Sequence, residues 1–116
     1  MAYKYYIKQK GEKYYFGLYP NNNHQSIGIS GFYDSIDSAN TALEKFKKLI
    51  KSAGNIYLLF DNICIEDNGV LKYKFVLKEN SFDIKFSRER LYWSKYEVRK
   101  GINRIIKNID APLKFE

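Results

Sequence analysis

The sequence predicts an α+β fold of two tandem β-β-β-α-β repeats, residues 1–60 and 61–116, sharing one antiparallel sheet with two helices on one face. Three observations predict it. Several short stretches alternate apolar and polar residues at period two, the signature of half-buried strands. Two longer stretches repeat apolar residues at helical spacing behind serine caps. Finally, a shift of 59 residues lays Lys13-Tyr14-Tyr15-Phe16-Gly17-Leu18 on Lys72-Tyr73-Lys74-Phe75-Val76-Leu77, then Tyr33 on Tyr92, Ser35 on Ser94, Leu43 on Ile102 and Ile50 on Ile109. Agreement across a strand and a helix at one constant shift points to duplication.

In the first copy Tyr5 and Ile7 mark a strand, Gly11-Glu12 a turn, and Tyr14, Phe16 and Leu18 one face of a second strand. Pro20 to Asn23 carries turn chemistry and ends that strand. Ile27 and Ile29 give a third. Asp34 and Ser35 offer cap oxygens to a helix whose stripe is Ala39, Ala42, Leu43, Phe46, Leu49 and Ile50, with Gly54 as its stop. The apolar run Ile56 to Phe60 is expected to close the unit as a strand. In the second copy Ile63 and Ile65 replace Tyr5 and Ile7, a turn falls at Asp67-Asn68-Gly69, and Tyr73, Phe75, Leu77, Ile84 and Phe86 continue the pattern. Ser94-Lys95-Tyr96-Glu97 reads as a capping box, with Trp93 placed to staple against Val98. Val98, Ile102, Ile105 and Ile109 form the helix stripe, Asp110-Ala111-Pro112 ends it, and Leu113 to Phe115 supply the last strand.

Length and composition bound the rest. At 116 residues the chain can bury one shared core but not two independent ones, so a single domain over 1–116 is expected. Hydrophobic residues at 45% and charged residues at 28% exclude disorder. The start, Met1-Ala2-Tyr3-Lys4-Tyr5-Tyr6, meets Lys8 and Lys10 before an apolar segment develops, and the run Ile56 to Phe60 is too short to cross a bilayer. No secretory leader and no membrane span are expected, and a cytoplasmic location follows. The single Cys64 permits no intrachain disulfide. Abundant Lys, Ile, Asn, Tyr and Phe, all encoded by AT-rich codons, suggest a low-GC bacterium or its phage.

The second copy, through Tyr73-Lys74-Phe75-Val76-Leu77-Lys78, Leu91-Tyr92-Trp93-Ser94-Lys95, Gly101-Ile102 and Lys107-Asn108, resembles the repeat of the YegP-like family. The first copy is similar through Tyr14-Tyr15-Phe16-Gly17-Leu18 and Gly31-Phe32-Tyr33-Asp34-Ser35. The resemblance implies tandem or dimeric units in one sheet, closing strands exchanged between units, and both helices on one face. It implies no activity, since that family is known by its fold. This chain departs from it at Asn21-Asn22-Asn23 and Glu79-Asn80-Ser81, where the family has an Asn-Gly turn, and at Tyr96 to Arg99, where the family helix has small alanines.

Catalytic constellations are poor. His24, the only histidine, sits in the Pro20 to Gln25 loop, where a solvated turn residue is expected before a general base or metal ligand. Cys64 lies between two isoleucines and reads as a small buried or half-buried hydrophobe. No zinc-spaced Cys/His cluster and no phosphate-binding glycine loop occur. The pairs Glu66-Asp67 and Asp34-Asp37 border a turn and open a helix, which structural duty explains. The expectation is a protein that is no enzyme and takes no cofactor or metal.

Charge is more informative. The net charge is +7, enough to attract phosphates or acidic proteins. All four arginines, Arg88, Arg90, Arg99 and Arg104, fall in the second copy, and Arg99, Lys100, Arg104 and Lys107 lie opposite the helix stripe. They read as a docking strip for a phosphate backbone or an acidic surface, against the plainer alternative of a solvated helix face. On the uncovered side of the sheet, parity places Tyr15 and Tyr19 with Lys72, Lys74, Val76 and Lys78, aromatics and lysines that could stack bases and hold a backbone. Tyrosines on a sheet also serve strand propensity or dimer contacts. The expected function is therefore a small basic non-catalytic module that binds nucleic acid or a nucleic-acid-handling complex. The alternative is a phage or mobile-element inhibitor of the anti-defence, anti-CRISPR type, acting by protein contact. With two fused copies satisfying the pairing, a monomer is expected ahead of a homodimer.

Overall fold

A computed structural model of the chain describes residues 3–21 and 25–115. One mixed sheet carries two helices. Its strands are β1 (Tyr3–Lys10), β2 (Lys13–Pro20), β3 (Gly28–Ser30), β4 (Phe60–Asp67), β5 (Val70–Leu77), β6 (Phe86–Ser87) and β7 (Leu113–Phe115). The helices are α1 (Ile36–Ser52) and α2 (Lys95–Lys107). The strand order is β4-β5-β6-β3-β2-β1-β7. Every pairing is antiparallel except β1 with β7, which run parallel, so the expected wholly antiparallel sheet is corrected at that edge.

The alternation read in the sequence sets the faces. Ile7 lies opposite Phe16 and Tyr5 opposite Leu18, and all four are buried on the helix side. Ser30 opposite Phe86 and Asn62 opposite Phe75 continue the same face across the sheet. The core is a run of rings. Phe86 stacks on Phe46 of α1 at 4.4 Å between centroids and on Phe16 at 6.0 Å, and Phe75 stacks on Phe86 at 6.4 Å. Phe86 comes this close to the backbone because position 28 is glycine; a Cβ there would lie 2.5 Å from the ring. Gly101 places α2 over the same layer, against Phe75 and Tyr92, so both helices share one side.

Both helix starts follow the sequence. Ser35 Oγ accepts from the Ser38 N–H at 3.0 Å, and Ser94 Oγ accepts from the Glu97 N–H at 3.2 Å, each satisfying an orphan amide. Trp93 does not staple to Val98 as expected; it is 65% exposed, and its ring meets Lys72 Nζ instead. At its far end α2 closes on Asn108, whose side-chain amide donates to the Arg104 carbonyl.

Two expected strands change. Ile56–Leu59 forms a 3₁₀ turn, not a closing strand, with the Asn55 side chain capping the Tyr57 N–H. That run leads straight into β4 and so cannot lie parallel beside it, because a parallel neighbour needs a long crossover. β4 also takes a different register from the one the shift of 59 implies. Its hairpin closes with Asp67 opposite Val70, whereas that of β1 and β2 closes with Lys10 opposite Lys13. Asn62 thus occupies the place that Ile7 holds in β1, while Ile63 and Ile65 correspond to Lys8 and Lys10 and face away from the helices, so their expected place with Tyr5 and Ile7 is corrected.

Candidate functional site

The side of the sheet without helices is built by the residues that alternate with the core. On β1 these are Lys4, Tyr6, Lys8 and Lys10, opposite Tyr19, Gly17, Tyr15 and Lys13 of β2. Lys114 of β7 registers with Tyr6 and adds a lysine at that edge. Across the middle, Gly17, Ile29, Ser87 and Val76 follow one another from β2 to β5. Beyond them stand Lys72 and Lys74, with Ile65 and Ile63 opposite on β4. The face thus has a small, weakly polar centre between two lysine-bearing hairpins. Asp61 pairs with Lys78 at 3.7 Å and Asp67 with Lys72 at 2.7 Å, while Asp34 meets Lys13. The Lys13 ammonium holds the Asp34 carboxyl below its ordinary value through a hydrogen bond and its charge. Among the described residues no carboxylate pairs with Lys4, Lys10, Lys74 or Lys114.

The aromatic part of this face differs from expectation. Tyr19 points to the open side but is buried. Its ring lies over Gly17, packs edge-on against Tyr6 at 5.7 Å and has Lys8 Nζ 4.2 Å from its centroid. No face of it is left for a base, so its assignment as a stacking platform is corrected. Tyr15 is half-buried and meets Phe32 edge-on at 5.6 Å. Phe32 is 52% exposed with Lys10 Nζ near its ring, and it is the platform sequence reasoning missed. Lys4, Lys8, Lys10, Lys13 and Lys114 were missed as well. Strand parity alone would have placed the β1 lysines beside Tyr15, whereas Lys114 depends on the non-local pairing of β7.

The basic helix strip is split. Lys100, Arg104 and Lys107 line one shallow cleft with Asn103. Arg99 turns the other way and lays its guanidinium 4.0 Å from the ring centroid of Tyr57, so the four residues do not form one surface. Arg88 is structural. It lies 4.2 Å over the Tyr92 ring and donates to the carbonyls of Ser26 and Arg90. Burial, with Arg104 and Arg90 nearby, pulls its pKa below the ordinary arginine value. Arg90 is exposed beside it. Burial likewise raises the Tyr92 phenol, whose Oη has no hydrogen-bond partner among the described residues.

Cys64, expected to be buried or half-buried, is exposed on the helix side of β4 at the sheet edge. His24 lies outside the described residues. Among the described residues no three His, Cys, Asp or Glu side chains gather as a metal site. No helix there is long and apolar enough to cross a membrane. No family model, no curated protein and no solved structure matches the chain.

Proposed function

We propose that the chain is a small, basic, non-catalytic module that binds single-stranded nucleic acid on the open face of its sheet. The observation that carries this reading is the paired array of lysines on that face, Lys4, Lys8, Lys10 and Lys114 toward one edge and Lys72, Lys74 and Lys78 toward the other. Between them lie a small weakly polar centre and the exposed ring of Phe32. Lysines reach a phosphate backbone as point charges, while a flat centre with an exposed aromatic accepts base faces without reading sequence. In this reading the scaffold is a duplicated β-β-β-α-β unit acting in the bacterial cytoplasm. The matching bridges Tyr14–Tyr33 and Tyr73–Tyr92, 59 residues apart, support the duplication.

Anisotropy of labelled single- and double-stranded DNA and RNA across a salt series tests the proposal. The combined variant Lys4→Glu, Lys10→Glu, Lys74→Glu is expected to lose about 100-fold in affinity at low salt and to flatten the logarithmic salt slope by about 2, given ~0.7 per neutralised phosphate on single strands. The helix variant Lys100→Glu, Arg104→Glu, Lys107→Glu is expected to bind within a few-fold of the parent. Absence of binding to any of the four nucleic acids at low salt refutes the proposal, and loss in the helix variant alone moves the site to α2.

A second reading, an inhibitor acting by protein contact, is favoured by Trp93 and Tyr96. Both are large rings more than three-fifths exposed, of the type that anchors protein interfaces. A stoichiometric complex with a protein, formed equally by the lysine variant that fails on nucleic acid, would select it.

A further inference from the structure

The two edges of the sheet are unlike. At the β1 edge, β7 adds in parallel, with the Tyr5 N–H donating to the Pro112 carbonyl at 2.9 Å and Leu113 registering with Tyr5. Ile109, Ala111 and Leu113 pack against the core. At the other edge no described strand lies beyond β4, because the segment after α1 runs through the 3₁₀ turn directly into β4.

The backbone of β4 is aimed outward at alternate residues. Phe75 accepts from the Arg88 N–H, and Tyr73 exchanges both its bonds with Tyr92, so these residues turn away from β4. Their cross-strand partners, Asn62 and Cys64, are therefore in non-hydrogen-bonded pairs, with N–H and C=O directed to the bare edge, and Glu66 continues the alternation. On the helix side of that edge lies an open cleft of about 380 Å³, between α2, the 3₁₀ turn and β4. Tyr57, Phe60, Val98 and Ile102 line it, with Asn62 and Arg99 bordering.

Charge limits the occupant. β1, β2 and β5 carry lysines and no carboxylate, whereas β4 carries Asp61, Glu66 and Asp67 and no cation. Antiparallel pairing with a second copy centred on Cys64 would set Asp61 against Asp67, like charges that repel across a ladder. We infer that the β4 edge docks an extended segment of a partner protein by strand addition, with apolar residues at alternate positions entering the cleft and a lysine or arginine between them facing Asp61, an exposed carboxylate that lines the cleft and that Lys78 approaches only to 3.7 Å. β7 has this pattern, Leu113-Lys114-Phe115, at the opposite edge. Main-chain bonds would supply affinity and the cleft would supply selectivity. The edge borders the lysine face, since Asp61 pairs with Lys78, but its strand addition does not rest on that face binding nucleic acid.

The test is an NMR titration of the labelled chain with a synthetic peptide of sequence Ala111–Phe115, capped at its C-terminus. Saturable shifts confined to β4, the 3₁₀ turn and α2 are expected, and the peptide with glutamate for Lys114 should bind about tenfold more weakly. Cys64→Pro removes an outward N–H without touching the β4–β5 ladder, so it should keep the fold and melting temperature yet bind about tenfold more weakly. Asp61→Lys should reverse the preference toward the glutamate peptide. No saturable shift at millimolar peptide, shifts at β1 instead, or unchanged binding by Cys64→Pro would each overturn the inference. Concentration-dependent shifts of β4 without peptide would overturn it too, by assigning the edge to a second copy.

Discussion

Glycine in the middle of a helix costs about 1 kcal/mol relative to alanine, and Gly101 is kept in α2 because a methyl group there would collide with Tyr92 Oη. That oxygen is itself buried without a partner, so the two positions form a coupled pair. Gly101→Ala is expected to destabilise by about 1–3 kcal/mol through overpacking, despite the better helix propensity. Tyr92→Phe removes an unsatisfied hydroxyl, so it should be neutral or stabilising by up to about 1 kcal/mol. In the double variant most of the alanine penalty should vanish, and denaturant unfolding of the four proteins measures the coupling. Additive penalties would remove the steric explanation. The sequence displayed Gly101 plainly but not its neighbour, since Tyr92 reaches it from outside the helix. Tyr19 is a similar case: its parity was legible, while its burial came from Gly17, two residues earlier, which leaves a hollow for the ring.

Among the elements, the helices were the most legible because cap, stripe and stop are local signals. β4 was not. Ile63 and Ile65 alternate with polar residues whichever face they take, so the pattern sets a period without setting a side, and hairpin length decides the rest. The run Ile56 to Phe60 was apolar enough for a strand, but connectivity left it nothing to pair with. β7 was legible as a strand, though not as a parallel one. It is held partly by Tyr5, whose hydroxyl donates to the Ile109 carbonyl at 3.1 Å. Burial, helped by Asp110 and Glu44, raises the Tyr5 pKa far above the ordinary phenol value. The folded chain therefore keeps its proton where the unfolded chain loses it, and stability must fall as pH rises above about 10. Thermal melts from pH 8 to 11 should show that fall, shallower in Tyr5→Phe, with Tyr33 and Tyr92 contributing the remainder. An equal slope in both proteins would exclude Tyr5 as a source.

For the molecule as a whole, the ring stack is decisive. Phe16 and Phe46 come from the first half of the chain, Phe75 and Phe86 from the second, and the middle of the sheet is the β3–β6 pair that joins them. Neither half can bury its apolar face alone, so calorimetry should record one transition with matching calorimetric and van't Hoff enthalpies. Two resolved transitions would contradict the shared core. Composition and periodicity made this α+β class legible, and net charge made basic surfaces expected. Where those charges collect was less so, because the lysine face needs the register of β1 against β2 and β7, and no local pattern encodes a pairing between Tyr5 and Leu113. The same clasp has a consequence for synthesis. While a ribosome is still extruding α2, β1 can already zip to β2, but its far flank stays bare until Leu113 to Phe115 emerge. β1 must wait for β7 to shelter it, and during that interval the nascent protein is most vulnerable to mispairing with its neighbours on a polysome.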